Sequence, residues 1–187
     1  MRISFACLVA LPALAAAPAL AATTAAVPAK SDKIETAGTA IAIALPLTAA
    51  GIAFYKKDWN GVIDLGLTTL ATVGTAYALK HIVREKRPDG SDFQSFPSDT
   101  SALASSGSSF LWARYGWEYG LPAFAASTFV SYSRVEAKKH HWYDTAASTV
   151  LAIGYSAIFT PRFNKYAIYS SLDVSPDGAM LHFAYNN

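Results

Sequence analysis

The chain has 187 residues, of which 52% are hydrophobic and 15% are charged, and its formal net charge at pH 7 is +2. This length is typical of a single domain. Basic residues form no stripe outside two short clusters, which argues against a nucleic-acid partner, and the low charge favours contact with a membrane instead.

The N-terminal segment, residues 1–21, has the pattern of a secretory signal peptide. Arg2 supplies the positive start, an Ala/Leu run supplies the apolar middle, and Ala19-Leu20-Ala21 is a small-residue cleavage site. The alternative is an uncleaved membrane anchor, but the run contains two prolines and is short for a membrane span. The single cysteine, Cys7, lies in this segment, so we expect a mature protein without disulfides.

Residues 34–165 are predicted to form one helical domain, which a polar linker over residues 22–33 precedes. The domain contains five largely apolar segments of helical length, with turn or cap residues between them. In chain order they are residues 34–55, a segment from the Trp59-Asn60-Gly61 turn to about Arg84, a segment capped by Ser98, residues 121–132 after Gly116 and Gly120, and residues 142–159. The predicted fold is therefore all-α, a bundle of about five helices.

The first of these helices favours a bundle that is embedded in a membrane. Residues 34–55 are almost uncharged, and their length is close to the roughly 20 apolar residues that cross a bilayer. Pro46 would kink this helix, which neighbouring helices can tolerate. The segment after Ser98 is rich in serine and is the least lipid-like, so a soluble bundle remains the alternative.

The C-terminal extension, residues 166–187, has a different pattern. Residues 166–174 and 180–185 alternate loosely in polarity, and Ser175-Pro176-Asp177-Gly178 between them is a strong turn signal. We expect a small β-hairpin here, with an extended, unpaired tail as the alternative.

Two clusters of polar residues stand out within the helical domain. In the first, six residues separate Lys80 from Arg87-Pro88. In the second, Ser133-Arg134 is followed after five residues by His140 and after three more by Asp144. A carboxylate four residues after a histidine lies one helical turn further on, from where it can reach the imidazole ring. Taken alone, that pair would be read as a solvated surface pair.

A third segment, Pro97-Ser98-Asp99-Thr100, lies between the two clusters. In order and spacing the three segments resemble the type-2 phosphatidic acid phosphatase family, which shares a fold with bacterial acid phosphatases and vanadium haloperoxidases. The family patterns are K-x6-RP, PSGH and SR-x5-H-x3-D, and the resemblance spans about residues 60 to 160. The middle pattern is half met, because Asp99 and Thr100 stand where the family has glycine and histidine.

The resemblance implies a phosphatase that hydrolyses a lipid-linked phosphate or diphosphate through a phosphohistidine intermediate. His140 would be the nucleophile, and Asp144 would orient its ring and stabilise the imidazolium. The residues expected to bind the substrate phosphate are Lys80, Arg87, Ser98 and Arg134. Further candidates at the site are Arg84, Asp99, Thr100 and Ser133.

The missing histidine leaves the identity of the general acid open. Thr100 stands where the family has a proton donor for the leaving group, and a hydroxyl does not donate a proton at neutral pH. An alignment shifted by one residue would place Asp99 there, but nearby cations favour its ionised form. We expect no cofactor and no metal, because the mature chain lacks cysteine and its carboxylates are scattered along the sequence.

Counting membrane crossings from a secreted N-terminus places both clusters on the periplasmic side. Lys56, Lys57, Arg162 and Lys165 would then lie on the cytoplasmic side, in partial agreement with the positive-inside rule. The prediction is a bacterial inner-membrane protein with a periplasmic active site, a lipid phosphate as substrate and no evident protein partner. The alternatives are a soluble periplasmic acid phosphatase acting on small phosphoesters, and a phosphate-binding relative with weakened catalysis.

Overall fold

A computed structural model of the protein describes residues 31–163, 168–175 and 178–185. The described part contains five helices, α1 Ser31–Tyr55, α2 Trp59–Val83, α3 Asp99–Tyr115, α4 Trp117–Glu136 and α5 Trp142–Phe159, and two strands, β1 Ile168–Ser175 and β2 Gly178–Tyr185. The prediction of an all-α bundle of five helices is confirmed. The strands pair antiparallel, with Ile168 opposite Tyr185 and Ser175 opposite Gly178. The predicted signal peptide lies outside the described residues.

Several helix boundaries differ from the sequence prediction, since α1 begins at Ser31 rather than at residue 34 and α4 spans Trp117–Glu136 rather than residues 121–132. The residues expected to form a turn at Trp59-Asn60-Gly61 are the first turn of α2, because the carboxylate of Asp58 caps this helix by accepting the N–H of Gly61 at 2.9 Å. Gly120 lies inside α4 rather than before it, where a Cβ would come within 2.6 Å of Trp112. Gly116, with φ of 93°, forms the break between α3 and α4, and Gly120 takes no part in it.

Helix α3 lies at the centre of the bundle and packs against the other four helices. Its buried face consists largely of small and hydroxyl side chains, which let neighbouring helices approach closely. Its interhelical hydrogen bonds join Ser105 to Thr149 at 3.0 Å, Ser106 to Thr69 at 3.1 Å and Ser108 to Ser127 at 3.1 Å. At Gly107 a Cβ would lie 2.8 Å from the backbone nitrogen of Pro46, so α1 and α3 are nearly in backbone contact.

Large apolar side chains point away from the bundle. Leu47, Leu70, Val150 and Ile158 are exposed over 66% to 73% of their surface. Among the described residues, α1 from Lys33 and the whole of α2 are long and apolar enough to cross a membrane, judged by length and composition. Serines inside and large apolar residues outside reverse the arrangement of a water-soluble domain and match helix packing in lipid.

One end of the bundle carries all three sequence motifs. The starts of α1 and α3 meet the ends of α4 and α2 there, through ion pairs between Glu35 and Arg134 and between Lys80 and Asp99. The start of α5 joins them, because the N–H of Ser98 donates to the carbonyl oxygen of Asp144 at 3.4 Å. Short connections at the opposite end make neighbouring helices antiparallel. The up-and-down order of the helices therefore brings distant segments of the chain together at a single site.

A buried ion pair holds the opposite end of the bundle. Arg114 at the end of α3 contacts both carboxylate oxygens of Asp58, at 2.7 and 2.5 Å, and also contacts Asp64 and the carbonyl oxygen of Pro161. The hydroxyl of Tyr115 donates to Asp58 at 2.8 Å. These contacts join α3 to the connection between α1 and α2 and to the end of α5. Because each charge has a partner, the cluster is a structural clamp far from the motifs.

Candidate active site

A cavity of about 350 Å³ opens at the end of the bundle where the motifs meet. Its wall contains residues from all three motifs and from the start of α1. The lining residues are Glu35, Arg87, Ser91, Asp92, Asp99, Thr100, Arg134, Lys139 and His140. The fold thus brings together the predicted nucleophile, both predicted arginines and the two residues that depart from the family pattern.

His140 lies in the connection between α4 and α5 and is 3% exposed. Its Nδ1 is 2.7 Å from the main-chain carbonyl oxygen of Ser95. A carbonyl oxygen can only accept a hydrogen bond, which assigns the proton to Nδ1. The other ring nitrogen, Nε2, is then the unprotonated and nucleophilic one.

Asp144 lies close to His140, although the two residues are not on one helix. Helix α5 begins at Trp142, so His140 precedes it and Asp144 is in its first turn. The distance from Nδ1 of His140 to Oδ2 of Asp144 is 3.6 Å. The same Oδ2 accepts the main-chain N–H of His141 at 2.8 Å and the hydroxyl of Ser95 at 2.5 Å. Asp144 is fully buried behind the cavity wall rather than in it.

Ser95 is therefore a member of the site that sequence reasoning missed. Its carbonyl oxygen holds His140, and its hydroxyl holds Asp144. Its own N–H donates to the carbonyl oxygen of Glu85 at 2.9 Å, which fixes the loop after α2. No sequence signal marks this residue, since its main role is played by a backbone atom that every residue has.

The two predicted phosphate-binding arginines face the cavity, each beside a carboxylate. Nε of Arg87 donates to Oδ1 of Asp92 at 2.7 Å. Nη1 of Arg134 lies 3.6 Å from Oε1 of Glu35, and its Nη2 donates to the carbonyl oxygen of Glu35. Arg134 is only 5% exposed, so the first turn of α1 covers part of its guanidinium. The sequence analysis identified neither Glu35 nor Asp92.

Lys80 forms an ion pair with Oδ1 of Asp99 and is 3% exposed. Asp99 lines the cavity, whereas Lys80 lies behind it and borders a neighbouring cavity of about 380 Å³. Arg84 borders that second cavity as well, so it does not share the space of His140. The ammonium of Lys80 favours the ionised form of the Asp99 carboxyl, which weakens Asp99 as a proton donor.

Two predicted site residues, Ser98 and Ser133, are fully buried and lie outside the cavity lining. Ser98 is the N-cap of α3, as expected, and its hydroxyl oxygen accepts the N–H of Ser101 at 3.3 Å. The hydroxyl of Ser133 donates to the carbonyl oxygen of Val130 at 2.6 Å. It also packs against Gly38 of α1, where a Cβ would lie 1.9 Å from Oγ. The hydroxyl oxygen of Ser133 also accepts Nε of Arg134 at 3.2 Å. In this structure Ser98 therefore caps α3, whereas Ser133 packs against α1 and helps to hold the guanidinium of Arg134.

A pair of charged residues joins the two loops that form the cavity mouth. Oδ2 of Asp89 is 2.8 Å from Nζ of Lys139, and the N–H of Asp89 donates to the carbonyl oxygen of Lys138 at 3.0 Å. Burial acts to raise the pKa of Asp89, but hydrogen bonds from Lys139 and Ser91 outweigh it and lower the pKa to about 2. The loop that carries His140 is thereby tied to the loop that carries Arg87.

The fold also gathers three potential metal ligands that the sequence analysis had regarded as scattered. One ligand atom each from Glu85, His141 and Asp144 lie within 4.8 Å of one another. Nδ1 of His141 is 3.4 Å from Oδ2 of Asp144 and 4.0 Å from Oε1 of Glu85. The three residues thus lie close together, and the main-chain N–H of His141 donates to Oδ2 of Asp144 while the hydroxyl of Tyr143 donates to Glu85.

The fold and the cavity define a bundle of five helices with a polar cavity at one end, lined by basic and acidic side chains and by a buried histidine. The crystal structure of LpxE from Aquifex aeolicus has the same fold, with a TM-score of 0.57 and 19% sequence identity over 70% of this chain and 87% of that one. In sequence, the chain is 28% identical over 141 residues to the lipid A 4'-phosphatase of Helicobacter pylori, which covers 68% of this chain and 71% of that protein. No protein-family model matches the sequence. A phosphatase among these relatives agrees with the class of enzyme that the three motifs predicted.

Proposed function

We propose that the protein is a membrane phosphatase that releases phosphate from a lipid-linked phosphate or diphosphate. The observation that carries this proposal is the shared cavity of Arg87, Arg134 and His140, which come from two separate motifs. A nucleophilic imidazole between two guanidinium groups suits an anionic phosphorus centre, because the cations offset the charge that would otherwise repel the nucleophile. The similarity to a lipid A 4'-phosphatase supports a lipid as the carrier of the phosphate.

The proposed reaction has two steps. Nε2 of His140 attacks phosphorus, the bond from phosphorus to the leaving oxygen breaks, and a phosphohistidine forms. Water then attacks the phosphohistidine, which releases orthophosphate and regenerates the imidazole. The carbonyl oxygen of Ser95 holds the required tautomer, and the Asp144 carboxylate at 3.6 Å stabilises the positive ring of the intermediate.

The leaving group decides which substrates suit this site. Thr100 lines the cavity where the family has a proton-donating histidine, and Asp99 beside it is paired with Lys80. A lipid alkoxide is strongly basic and leaves slowly without a proton, whereas a phosphate is a much weaker base and leaves without help. We therefore propose that the enzyme cleaves the anhydride bond of lipid diphosphates faster than the ester bond of lipid monophosphates.

The proposed location is the bacterial inner membrane, with the cavity on the periplasmic side. The outward-facing apolar side chains of α1 and α2 support a location in the membrane. The secretion signal in the sequence supports the periplasmic position of the cavity. A cysteine introduced at Ser91, which is exposed at the cavity, should react with a membrane-impermeant thiol reagent in intact spheroplasts. Labelling only after lysis would place the site in the cytoplasm. Release of the protein from membranes by salt alone would instead support the soluble alternative.

Phosphate release from purified protein in detergent tests the proposed activity. The substrates are a monophosphate and a diphosphate of one lipid, and the matched control is His140→Ala, which removes the nucleophile. We expect release by the native protein and almost none by the variant, with thermal unfolding of the variant still well above the assay temperature. Substantial release by His140→Ala would remove this residue from the reaction, and no release by the native protein would favour a phosphate-binding relative.

A further inference from the structure

The two side chains of the ion pair between Lys80 and Asp99 differ in solvent exposure, and this difference affects phosphate binding. The side chain of Lys80 is 4% exposed, whereas that of Asp99 is 46% exposed and lines the cavity. A buried ammonium requires a counter-ion, because removal from water without one is strongly unfavourable. In the described structure Asp99 supplies that counter-ion from the cavity side, at a position where the family pattern has glycine.

A substrate phosphate and the Asp99 carboxylate therefore compete for the ammonium group of Lys80. A phosphate next to His140 would occupy the cavity that Asp99 borders, and two anions at such short range repel each other. Asp99 must move away from Lys80, or the phosphate must bind without the lysine. In either case binding is weaker than at a site with glycine in this position.

The pairs of Arg87 with Asp92 and of Arg134 with Glu35 differ from this one. A guanidinium has five N–H donors, so Arg87 can keep Asp92 on Nε and direct other N–H groups to a phosphate. The ammonium of Lys80 acts as a point charge and has Asp99 between it and the cavity. A phosphate that contacts Lys80 must therefore displace the Asp99 carboxylate, whereas a phosphate that contacts the arginines need not displace theirs.

We propose that Asp99 is an internal counter-ion that competes with phosphate for Lys80. It weakens the hold on a single phosphate group, including the orthophosphate product, and so limits product inhibition. This inference rests on the proposed phosphatase function, because it takes the cavity to be the phosphate site. It also explains how the chain tolerates an acidic residue within a site for an anion.

Direct binding of orthophosphate to the full-length protein in detergent, measured by calorimetry, tests this inference. Asp99→Asn removes the charge with little change of shape, and we expect orthophosphate to bind about tenfold more tightly or better. Glu118→Gln removes an exposed carboxylate from the opposite end of the bundle and should leave the affinity unchanged. Unchanged or weaker binding by Asp99→Asn would overturn the proposal.

Two further variants keep the test decisive. Asp99→Gly restores the family residue and lets water reach Lys80, so it should show the same gain even if the asparagine variant folds poorly. Adding Lys80→Gln to Asp99→Asn should remove the gain, and a double variant that binds orthophosphate as tightly as Asp99→Asn alone would refute competition for Lys80. Turnover of lipid phosphates in the same preparations is a separate readout, so failure of the phosphatase function can be distinguished from failure of this inference.

Discussion

His140 directs Nδ1 at the main-chain carbonyl oxygen of Ser95, 2.7 Å away. The tautomer of the proposed nucleophile is thus held by a backbone atom, while the carboxylate of Asp144 lies further off at 3.6 Å. Asp144 has other partners at shorter range, the hydroxyl of Ser95 and the N–H of His141. Orientation of the ring and stabilisation of its charge are therefore supplied by different residues.

Because the Ser95 carbonyl oxygen orients the ring and Asp144 stabilises its charge, substitutions of the two residues should reduce phosphate release unequally. Ser95→Ala keeps the carbonyl oxygen and loses only the hydroxyl, so kcat for phosphate release should fall by less than about tenfold. Asp144→Asn removes the charge that stabilises the imidazolium, and kcat should fall on the order of 10²- to 10⁴-fold. Steady-state kinetics of the two variants provide the measurement. Equal losses in both would mean that the hydroxyl of Ser95 is as important as the carboxylate.

The two arginines in the cavity should not tolerate lysine. Arg87→Lys and Arg134→Lys each lose a two-point contact with phosphate, and we expect kcat/KM to fall about 10- to 100-fold. Arg84→Lys is the matched control, because Arg84 is exposed and borders the neighbouring cavity rather than that of His140. Near-native kcat/KM in either cavity variant would show that the phosphate is held elsewhere.

Thr100, at the position expected for the general acid, leads to a prediction about substrate preference. Thr100→His introduces into the cavity lining the histidine of the phosphatidic acid phosphatase pattern, and it should raise kcat/KM for a lipid monophosphate more than for the diphosphate of the same lipid. The reason is that the alkoxide leaving group needs a proton and the phosphate leaving group does not. Both substrates are to be compared in both proteins. A native protein that already prefers the monophosphate would point to an unrecognised acid, with Asp99 the first residue to examine.

The pair of Asp89 and Lys139 predicts how stability depends on pH. Hydrogen bonds from Lys139 and Ser91 lower the pKa of Asp89 from 3.8 to about 2 against the effect of burial. A lowered pKa means that the bonded carboxylate adds stability above about pH 4, and that this stability disappears as the pH falls through about 2.

Asp89→Asn tests this dependence by thermal unfolding across that range. The native protein should unfold at a slightly higher temperature than the variant at pH 7, since a partly exposed pair contributes less than about 1 kcal/mol. The difference should shrink between pH 4 and pH 2. A difference that persists unchanged at pH 2 would mean that the charge of Asp89 has no part in joining the two loops.

The sequence by itself determined the number of helices and the end of the bundle at which the motifs meet. Helix length and end signals are local properties, which is why the predicted residues 142–159 coincide with α5 and why Ser98 is the N-cap of α3. The up-and-down order of five helices then leaves little freedom in where the motifs meet, and Arg87, Arg134 and His140 share one cavity.

The tertiary structure alone decided which residues far apart in the sequence became partners of the charged groups and of His140. Glu35 reaches Arg134 from 99 positions away, and the carbonyl oxygen of Ser95 holds His140 across 45 positions. Such contacts depend on how helices and loops pack, and a backbone carbonyl has no signature in the sequence. Every residue carries the same main-chain oxygen, and only the folded loop determines which one meets the imidazole.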